Sequence, residues 1–228
     1  MALFSKFRSK KAVAARPNIK ASYEAARDGR RADGWARASN QGPETSGRLN
    51  FDKLRKRSRF EARNHAVASR IVDVIVAETV GQGIRPHITG DETLERLWEQ
   101  FVQESDADGV QSFYGQQSLG MRDIVIAGEC FARFRPRRID DGLAVPMQIQ
   151  LLSSEFLPYD VPTRSDSRSG IVFAGPGRRA GYLFHSVHPG ESDNYVGSQD
   201  LTLVPADRVA HVYAQREIGQ LRGEPWLT

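Results

Sequence analysis

Hydrophobic residues in the first half of the chain recur every three to four positions, which is the spacing of a helix that buries one face. This spacing predicts a long helix over about Asp52–Val80, with Asn50 as its N-cap and Gly81 as its stop. It predicts two further helices, over about Glu92–Glu104 and Ser112–Ala127. The first half of the chain is therefore expected to be helical.

The long predicted helix has two halves of different character. Its first half carries four arginines that fall within about 80° of one another when each residue turns the helix by about 100°, and they form a basic stripe: Arg55, Arg59, Arg63 and Arg70. Its second half, Ile71–Val80, is apolar nearly all round and is expected to be buried.

In the second half of the chain, hydrophobic residues alternate with polar ones, as they do in half-buried strands. Two alternating segments flank the turn Asp140-Asp141-Gly142 and predict an antiparallel hairpin, over Cys130–Arg135 and Val145–Leu152. Shorter segments predict further strands, over about Ile171–Ala174, Gly181–Ser186 and Val209–Tyr213, and one short strand in the first half of the chain, over about Ile84–Ile88. Pro162–Ser169 is expected to be a polar loop. The fold class is α+β, with N-terminal helices followed by an antiparallel β-rich part.

The residues before the long helix have little hydrophobic pattern. Residues 1–20 are basic and are expected to form a disordered tail, and residues 21–48 are expected to hold one short helix, Ser22–Asp28, and a linker. The linker is placed at Ala38–Arg48 because this polar stretch contains two glycines and a proline. Residues 49–228 are then expected to form one α+β domain.

Charge divides the chain into a basic front and a mildly acidic body. Residues 1–65 hold 17 Lys and Arg against 6 Asp and Glu, whereas residues 66–228 hold 15 against 22. Such a front can bind nucleic acid by displacing counterions from phosphates, dock onto the acidic body of a neighbouring copy, or remain solvated. Five residues of the long helix are the candidate electrostatic contact, with DNA or a neighbouring subunit: Arg55, Lys56, Arg57, Arg59 and Arg63.

Motifs for catalysis or metal binding are not complete in this sequence. Asp106-x-Asp108-Gly109 resembles the start of a calcium loop, but the twelfth position is Gln117 instead of an acidic residue. His185 and His188 point to opposite faces of a strand and have no Glu or Cys at a metal-ligand spacing. No glycine-rich loop ends in Lys-Ser or Lys-Thr. We therefore expect a non-enzymatic protein with no metal and no cofactor.

Neither a membrane segment nor a secretory signal is expected. No apolar run approaches the roughly 18–20 residues that span a bilayer, and Met1–Arg16 has no continuous apolar core. The single cysteine, Cys130, cannot form an internal disulfide and is expected to be a buried residue of a strand. These features are typical of a protein made in the bacterial cytoplasm.

Several segments, in this order and spacing, resemble the lambda-like family of bacteriophage portal proteins. They are Tyr23–Trp35, Leu54–Asn64, Val80–Pro86, Leu97–Phe113, Arg122–Leu157, His188–Gly190 and Val204–Leu227. The longest includes the stretches GECFARFRPRR and DGLAVPMQIQLL. Two local departures are Glu155, where an aspartate is expected, and Glu217-Ile218, where Arg-Pro is more usual.

The resemblance implies a structural subunit of a ring of about twelve copies at one capsid vertex, the conduit for DNA packaging and ejection. It implies terminase, scaffold or capsid proteins and head-completion proteins as partners, and a location in the virion and, during assembly, in the host cytoplasm. The part present resembles the wing region of the subunit. Gly223–Thr228 stops where the family continues into a helix, so the chain is expected to be incomplete at its C-terminus.

The family has no catalytic residues to carry over. The five candidate contact residues lie in the segment Leu54–Asn64, which resembles a basic segment of the family, but their role is an inference from charge. Two other functions stay open at this point. One is a stand-alone basic DNA-binding module, and the other is a non-functional truncated prophage remnant.

Overall fold

The computed structural model describes residues 40–161, 164–175, 177–191 and 201–227. All of them except Asn40 belong to one compact unit, Gln41–Thr228. The predicted tail 1–20 and the predicted helix Ser22–Asp28 lie outside the described residues. The predicted division of the chain at residues 20 and 48 therefore stays a prediction.

Four helices precede the strands, which confirms the α+β class. The helices are α1 (Pro43–Asn64), α2 (Ala66–Thr79), α3 (Glu92–Glu104) and α4 (Phe113–Ala127). The strands are β1 (Glu129–Pro136), β2 (Met147–Ser153), β3 (Ser167–Arg168), β4 (Ile171–Phe173), β5 (Arg179–His185), β6 (Leu201–Pro205) and β7 (Val209–Tyr213). Short 3-10 turns lie at Ile139–Asp141, Ser154–Phe156 and Ala206–Arg208.

The strands form two antiparallel sheets. The first has the order β2-β1-β7 and the second the order β3-β4-β5-β6. In the first sheet Phe131 pairs with Leu152 on one side and with His211 on the other, so these three residues share a face. A core of buried side chains joins this face to the second sheet: Phe131, Leu152, Leu157, Ile171, Tyr182, Phe184, Val204 and Val209.

Helix α4 covers the other face of the first sheet. It contacts β1 and β2, and it also contacts α1, α2 and α3. An apolar cavity of about 280 Å³ lies between α4 and the sheet, lined by residues that include Gly120 and Ile124 of α4 and Cys130 and Leu151 of the strands. The first sheet is therefore packed between a helical layer and the second sheet.

The start of the long helix was predicted wrongly. Helix α1 begins at Pro43, so the linker predicted over Ala38–Arg48 is wrong from Pro43 onward, and Asn50 lies inside the helix. The reason is that proline fits the first helical position, where its missing N–H is not needed. Gly47 does not stop the helix but packs against the ring of Phe51, where an added Cβ would lie 2.9 Å from Cε2.

Two further corrections concern α2. The helix predicted from Asp52 to Val80 is interrupted at His65, whose φ of −114° and ψ of 112° are extended. The predicted burial of Ile71–Val80 is also wrong for much of that segment. Val72 and Val80 are buried, but Ile71 is 46% exposed and Val74 41% exposed. Helix α2 packs mainly on α1 and α4 among the described elements, so Ile71 and Val74 face outward while Ile75 and Val76 are half-buried.

The strand predicted at Ile84–Ile88 is also wrong, because these residues form no strand. Instead, the side-chain amide of Gln117 replaces a neighbouring strand, since it accepts from the N–H of Ile84 at 2.7 Å and donates to its carbonyl at 3.1 Å. The alternation of the sequence also missed β3, which lies within the predicted polar loop, and β6. Helices α3 and α4, the hairpin β1–β2 and strand β7 are confirmed.

Candidate functional site

The five candidate contact residues lie in three different environments. Arg55 is 3% exposed and pairs with a carboxylate inside the chain. Arg59 is half-buried and pairs with Glu155 at 2.6 Å. Lys56 is exposed and pairs with Asp52, one turn away, at 2.8 Å. Arg57 and Arg63 are exposed. The basic stripe therefore faces the protein interior at Arg55 and the solvent at Arg63.

The carboxylate that pairs with Arg55 is that of Glu129, the first residue of β1, which is fully enclosed. Its Oε1 accepts from Nη2 of Arg55 at 2.6 Å and from Nε of Arg222 at 2.8 Å. Its Oε2 accepts from the backbone N–H of Gly223 at 2.8 Å and lies 2.9 Å from Nε2 of His211. We call Glu129, Arg55, Arg222 and His211 the buried ion-pair cluster.

Arg222 connects the C-terminal segment to two turns that are distant in sequence. It donates from Nη1 to the carbonyl of Ser169 at 2.9 Å and from Nη2 to the carbonyl of Ser154 at 3.1 Å. Its guanidinium also lies 4.4 Å from the centre of the Tyr159 ring, which is a favourable cation–π distance. All three guanidinium nitrogens of Arg222 therefore donate hydrogen bonds to acceptors inside the chain.

Arg55 of helix α1 likewise connects segments that are distant in sequence. Its Nε donates to the carbonyl of Ala127 at 2.9 Å, at the end of α4, and its Nη2 lies 3.1 Å from the hydroxyl of Tyr159. A further contact of 3.3 Å joins Nη2 to the carbonyl of Gly223. The cluster thus ties α1, the end of α4, the start of β1 and the C-terminal segment together.

His211 of β7 supplies a neutral partner. Its Nδ1 lies 3.1 Å from Nη1 of Arg179, which can only donate, so Nδ1 accepts and Nε2 carries the hydrogen that is donated to Glu129. Burial lowers the pKa of His211, and the positive charges of Arg222 and Arg179 lower it further against the opposing effect of Glu129. His211 is therefore neutral in this arrangement, and its ring stacks on Phe131 at 4.3 Å.

The ionisation of Glu129 is set by these partners. Burial alone would raise its pKa, but the charges of Arg222 and Arg55 and the hydrogen bond from His211 hold the pKa well below its ordinary value. A carboxylate with four donors in contact has no free site for a substrate proton. The geometry therefore supports a structural role for this cluster.

A second, smaller group of charges lies beside it, between α1 and α4. Nη2 of Arg59 contacts Glu155 at 2.6 Å and Asp123 of α4 at 3.6 Å. Burial raises the pKa of Asp123 to about 7, although the charge of Arg59 lowers it. Oδ2 of Asp123 is enclosed and has no hydrogen-bond partner among the residues that the structure describes. Asp123 is the one carboxylate of these two groups whose protonation changes near neutral pH.

The described residues hold no arrangement that suggests nucleophilic or metal chemistry. Burial raises the pKa of the Cys130 thiol to about 12, so the thiol is not ionised at neutral pH. Within the described ranges, no group of three or more His, Cys, Asp and Glu side chains could hold a metal ion. None of the helices in those ranges is long and apolar enough to cross a membrane.

Comparison with known families gives this geometry its context. A family model described as "Phage portal protein, lambda family" matches residues 28–228, which is most of the sequence. The chain belongs to this family. No curated protein matches the chain. Portal proteins of this family are structural rather than enzymatic, which fits a site whose polar groups bind one another.

The sequence predicted Arg55 and Arg59 as contact residues for DNA or a neighbouring subunit, whereas the structure places both in ion pairs inside the chain. Their partners were not predicted. Glu129, His211 and Arg222 were missed because they lie between about 70 and 170 residues away along the chain, and no local pattern joins them to α1. A signal was nonetheless present, since all three lie within segments that carry the family resemblance.

Proposed function

We propose that this chain is a subunit of the portal ring at the phage capsid vertex, through which DNA is packaged and ejected and to which terminase docks. The family match over residues 28–228 is the observation that carries the proposal. The scaffold or capsid proteins and the head-completion proteins would be its other partners. It would act in the virion and, during assembly, in the host cytoplasm.

The surface of the helices supports assembly with other protein chains. The exposed apolar side chains of α1 and α2 include Phe60, Val67 at 74% exposure, Ile71 and Val74. Clusters of exposed apolar side chains on a folded domain are typical of protein interfaces. Such a surface fits a subunit that contacts neighbours better than it fits an isolated protein.

Purification of the full chain, followed by light scattering and negative-stain electron microscopy, tests this proposal. The expected result at low ionic strength is a closed ring, of about twelve copies as the family resemblance implies. A chain that remains a monomer at every concentration and ionic strength tested contradicts the proposal. A fully formed ring with a different copy number contradicts only the stoichiometry.

A second candidate function is a basic DNA-binding module, and it is favoured by Arg57 and Arg63, which are exposed and have no carboxylate partner among the described residues. With Lys56 they would contact phosphates from α1. The monomeric chain should then bind duplex DNA with a dissociation constant that rises steeply with salt, by about one unit of slope per phosphate neutralised. The variant Arg57→Gln/Arg63→Gln should reduce that slope, whereas exposed Lys53→Gln serves as the matched control.

A further inference from the structure

An arginine row crosses one end of the first sheet. Arg133 and Arg135 lie two positions apart on β1, on the face that also holds Phe131, and Arg133 pairs with Val209 of β7. Arg208 immediately precedes Val209. We call Arg133, Arg135 and Arg208 the arginine row.

The arginine row has no negative partner among the residues that the structure describes. Arg133 is half-buried, and it makes no hydrogen bond or ion pair with any residue that the structure describes. Arg135 contacts only the neutral oxygen of Gln150, at 3.3 Å. Burial lowers the pKa of Arg133, and the charges of Arg135 and Arg208 lower it further. A half-buried cation beside two like charges is unfavourable unless an anion binds there.

A row of opposite charge lies on helix α3. Glu92, Glu95 and Glu99 fall within about 60° on one face of the helix, and all three are exposed. None of them forms an ion pair within the described part of the chain. Arg96 is exposed on the same face, so the face carries a net negative charge of two. We call Glu92, Glu95 and Glu99 the glutamate row.

We propose that the arginine row of one copy binds the glutamate row of the next copy. This inference rests on the proposed ring function and names the surfaces that join its subunits. Neither row forms an ion pair with the residues that the structure describes, and the two rows are complementary in charge. Their spacings also match, because alternate residues of a strand lie about 6.8 Å apart and residues one turn apart on a helix lie about 6 Å apart.

The contact is heterologous, since it joins two different surfaces of identical chains. A heterologous contact repeats from copy to copy and generates either a ring or an open filament. It leaves one arginine row and one glutamate row free on every incomplete assembly. Nucleic acid could also bind a row of arginines, but the unpaired glutamate row of the same chain would then have no explanation.

Charge reversal in two separate variants of the full chain tests the proposal. The first variant carries Arg133→Glu, Arg135→Glu and Arg208→Glu, and the second carries Glu92→Lys, Glu95→Lys and Glu99→Lys. Each variant alone should remain monomeric, with a dissociation constant for self-association raised at least about a hundredfold by like-charge repulsion. A 1:1 mixture should assemble again with the two variants in alternation. Contacts between the two reversed rows then alternate with contacts between the two wild-type rows, and every contact joins opposite charges.

Controls separate folding from assembly. Arg133 is half-buried, so the single exposed change Arg208→Glu and the glutamate-row variant, whose three positions are all exposed, are tested beside the triple arginine variant. Circular dichroism should show unchanged helix and strand content for both. Reversal of two exposed residues outside both rows, Lys53→Glu and Arg178→Glu, is the matched control and should leave assembly unchanged.

The outcomes distinguish this inference from the proposed function. If both variants assemble as the wild type does, the inference is wrong and the ring is joined by other surfaces. If the wild-type chain does not assemble under any condition, the inference and the proposed function both fail. If the mixture stays monomeric while duplex DNA binds the wild type but not the first variant, the arginine row is a nucleic-acid site instead.

Discussion

At the scale of single residues, the main feature is a buried carboxylate, that of Glu129, which pairs with two buried arginines. Two guanidinium groups against one Glu129 leave a positive charge in the interior, because His211 is neutral. The carboxylate of Glu44, which accepts a hydrogen bond from Ser169 beside Arg222, supplies the second negative charge. Burial raises the pKa of Glu44, and the charge of Arg222 opposes that rise. The charge of the buried ion-pair cluster is therefore balanced only together with Glu44.

Removal of the charge of Glu129 should therefore destabilise the fold. Glu129→Gln keeps the shape of the side chain but leaves Arg55 and Arg222 enclosed without an anion, so the free energy of unfolding should fall by about 3–5 kcal/mol. Urea unfolding followed by circular dichroism measures the change. The matched control is Glu78→Gln on the exposed side of α2, which should change stability by less than about 0.5 kcal/mol. A loss no larger than that of the control would show that the cluster contributes little.

Asp123 should make the stability of the fold depend on pH. Burial raises its pKa to about 7 in the folded chain, whereas the pKa is about 3.9 in the unfolded chain. Between these two values the folded state binds more protons than the unfolded state, so stability falls as the pH rises. Asp123→Asn should therefore gain stability relative to the wild type as the pH rises from about 4 to about 8, by the same linkage. Unfolding midpoints at several pH values measure the difference, and a constant difference would show that Asp123 does not titrate in this range.

At the scale of elements, the sequence predicted those whose signals are local. Helix α3 has a cap at Asp91 and an apolar face, helix α4 has a cap at Ser112 and a stop at Gly128, and the hairpin alternates on both strands. The start of α1 was missed because Pro43 and Gly47 favour either a turn or the first turn of a helix, and only packing decides between them.

The outward direction of α2 could not be predicted from its composition. Its apolar residues suggest burial on all sides, but burial depends on how many elements surround a helix, and among the described elements α2 packs mainly on α1 and α4. The basic stripe of α1 was predicted to be exposed, but Arg55 within it is buried. Arg55 looked like a surface residue because its partner, Glu129, is 74 residues away.

The junction between α4 and β1 is the element boundary that most limits substitution. Gly128 has a φ of 95°, and a Cβ added there would lie 2.5 Å from the backbone carbon of Glu224. Gly142 has a similar φ of 77° but nothing within 4 Å. Gly142→Ala should cost about 1–2 kcal/mol for its backbone conformation, and Gly128→Ala should cost at least about 2 kcal/mol more because the segment after Arg222 must move. Thermal unfolding of the two variants measures the difference. Equal losses of stability would show that the segment after Arg222 moves without a loss of free energy.

At the scale of the whole molecule, the buried ion pairs stabilise the fold, and the proposed ion pairs between copies would join subunits. The pairs of Glu129 with Arg55 and Arg222 are enclosed, with side-chain exposures of 4% or less. The proposed contact between the arginine row and the glutamate row joins groups that are exposed or half-buried in the single chain. Salt screens charges in water strongly and enclosed charges only weakly. The two kinds of pair should therefore respond differently to ionic strength.

A salt titration of the full chain separates them. The screening length falls from about 10 Å at 0.1 M to about 3 Å at 1 M, so assemblies joined by the two rows should dissociate to monomers as salt rises over this range. The unfolding temperature of those monomers should change little, because the buried ion-pair cluster is not reached by the added ions. Light scattering measures the first quantity and circular dichroism measures the second. If the assemblies instead persist at 1 M salt, the contact between copies is apolar, and the exposed side chains of Val67, Ile71 and Val74 on α2 become the surface that joins them.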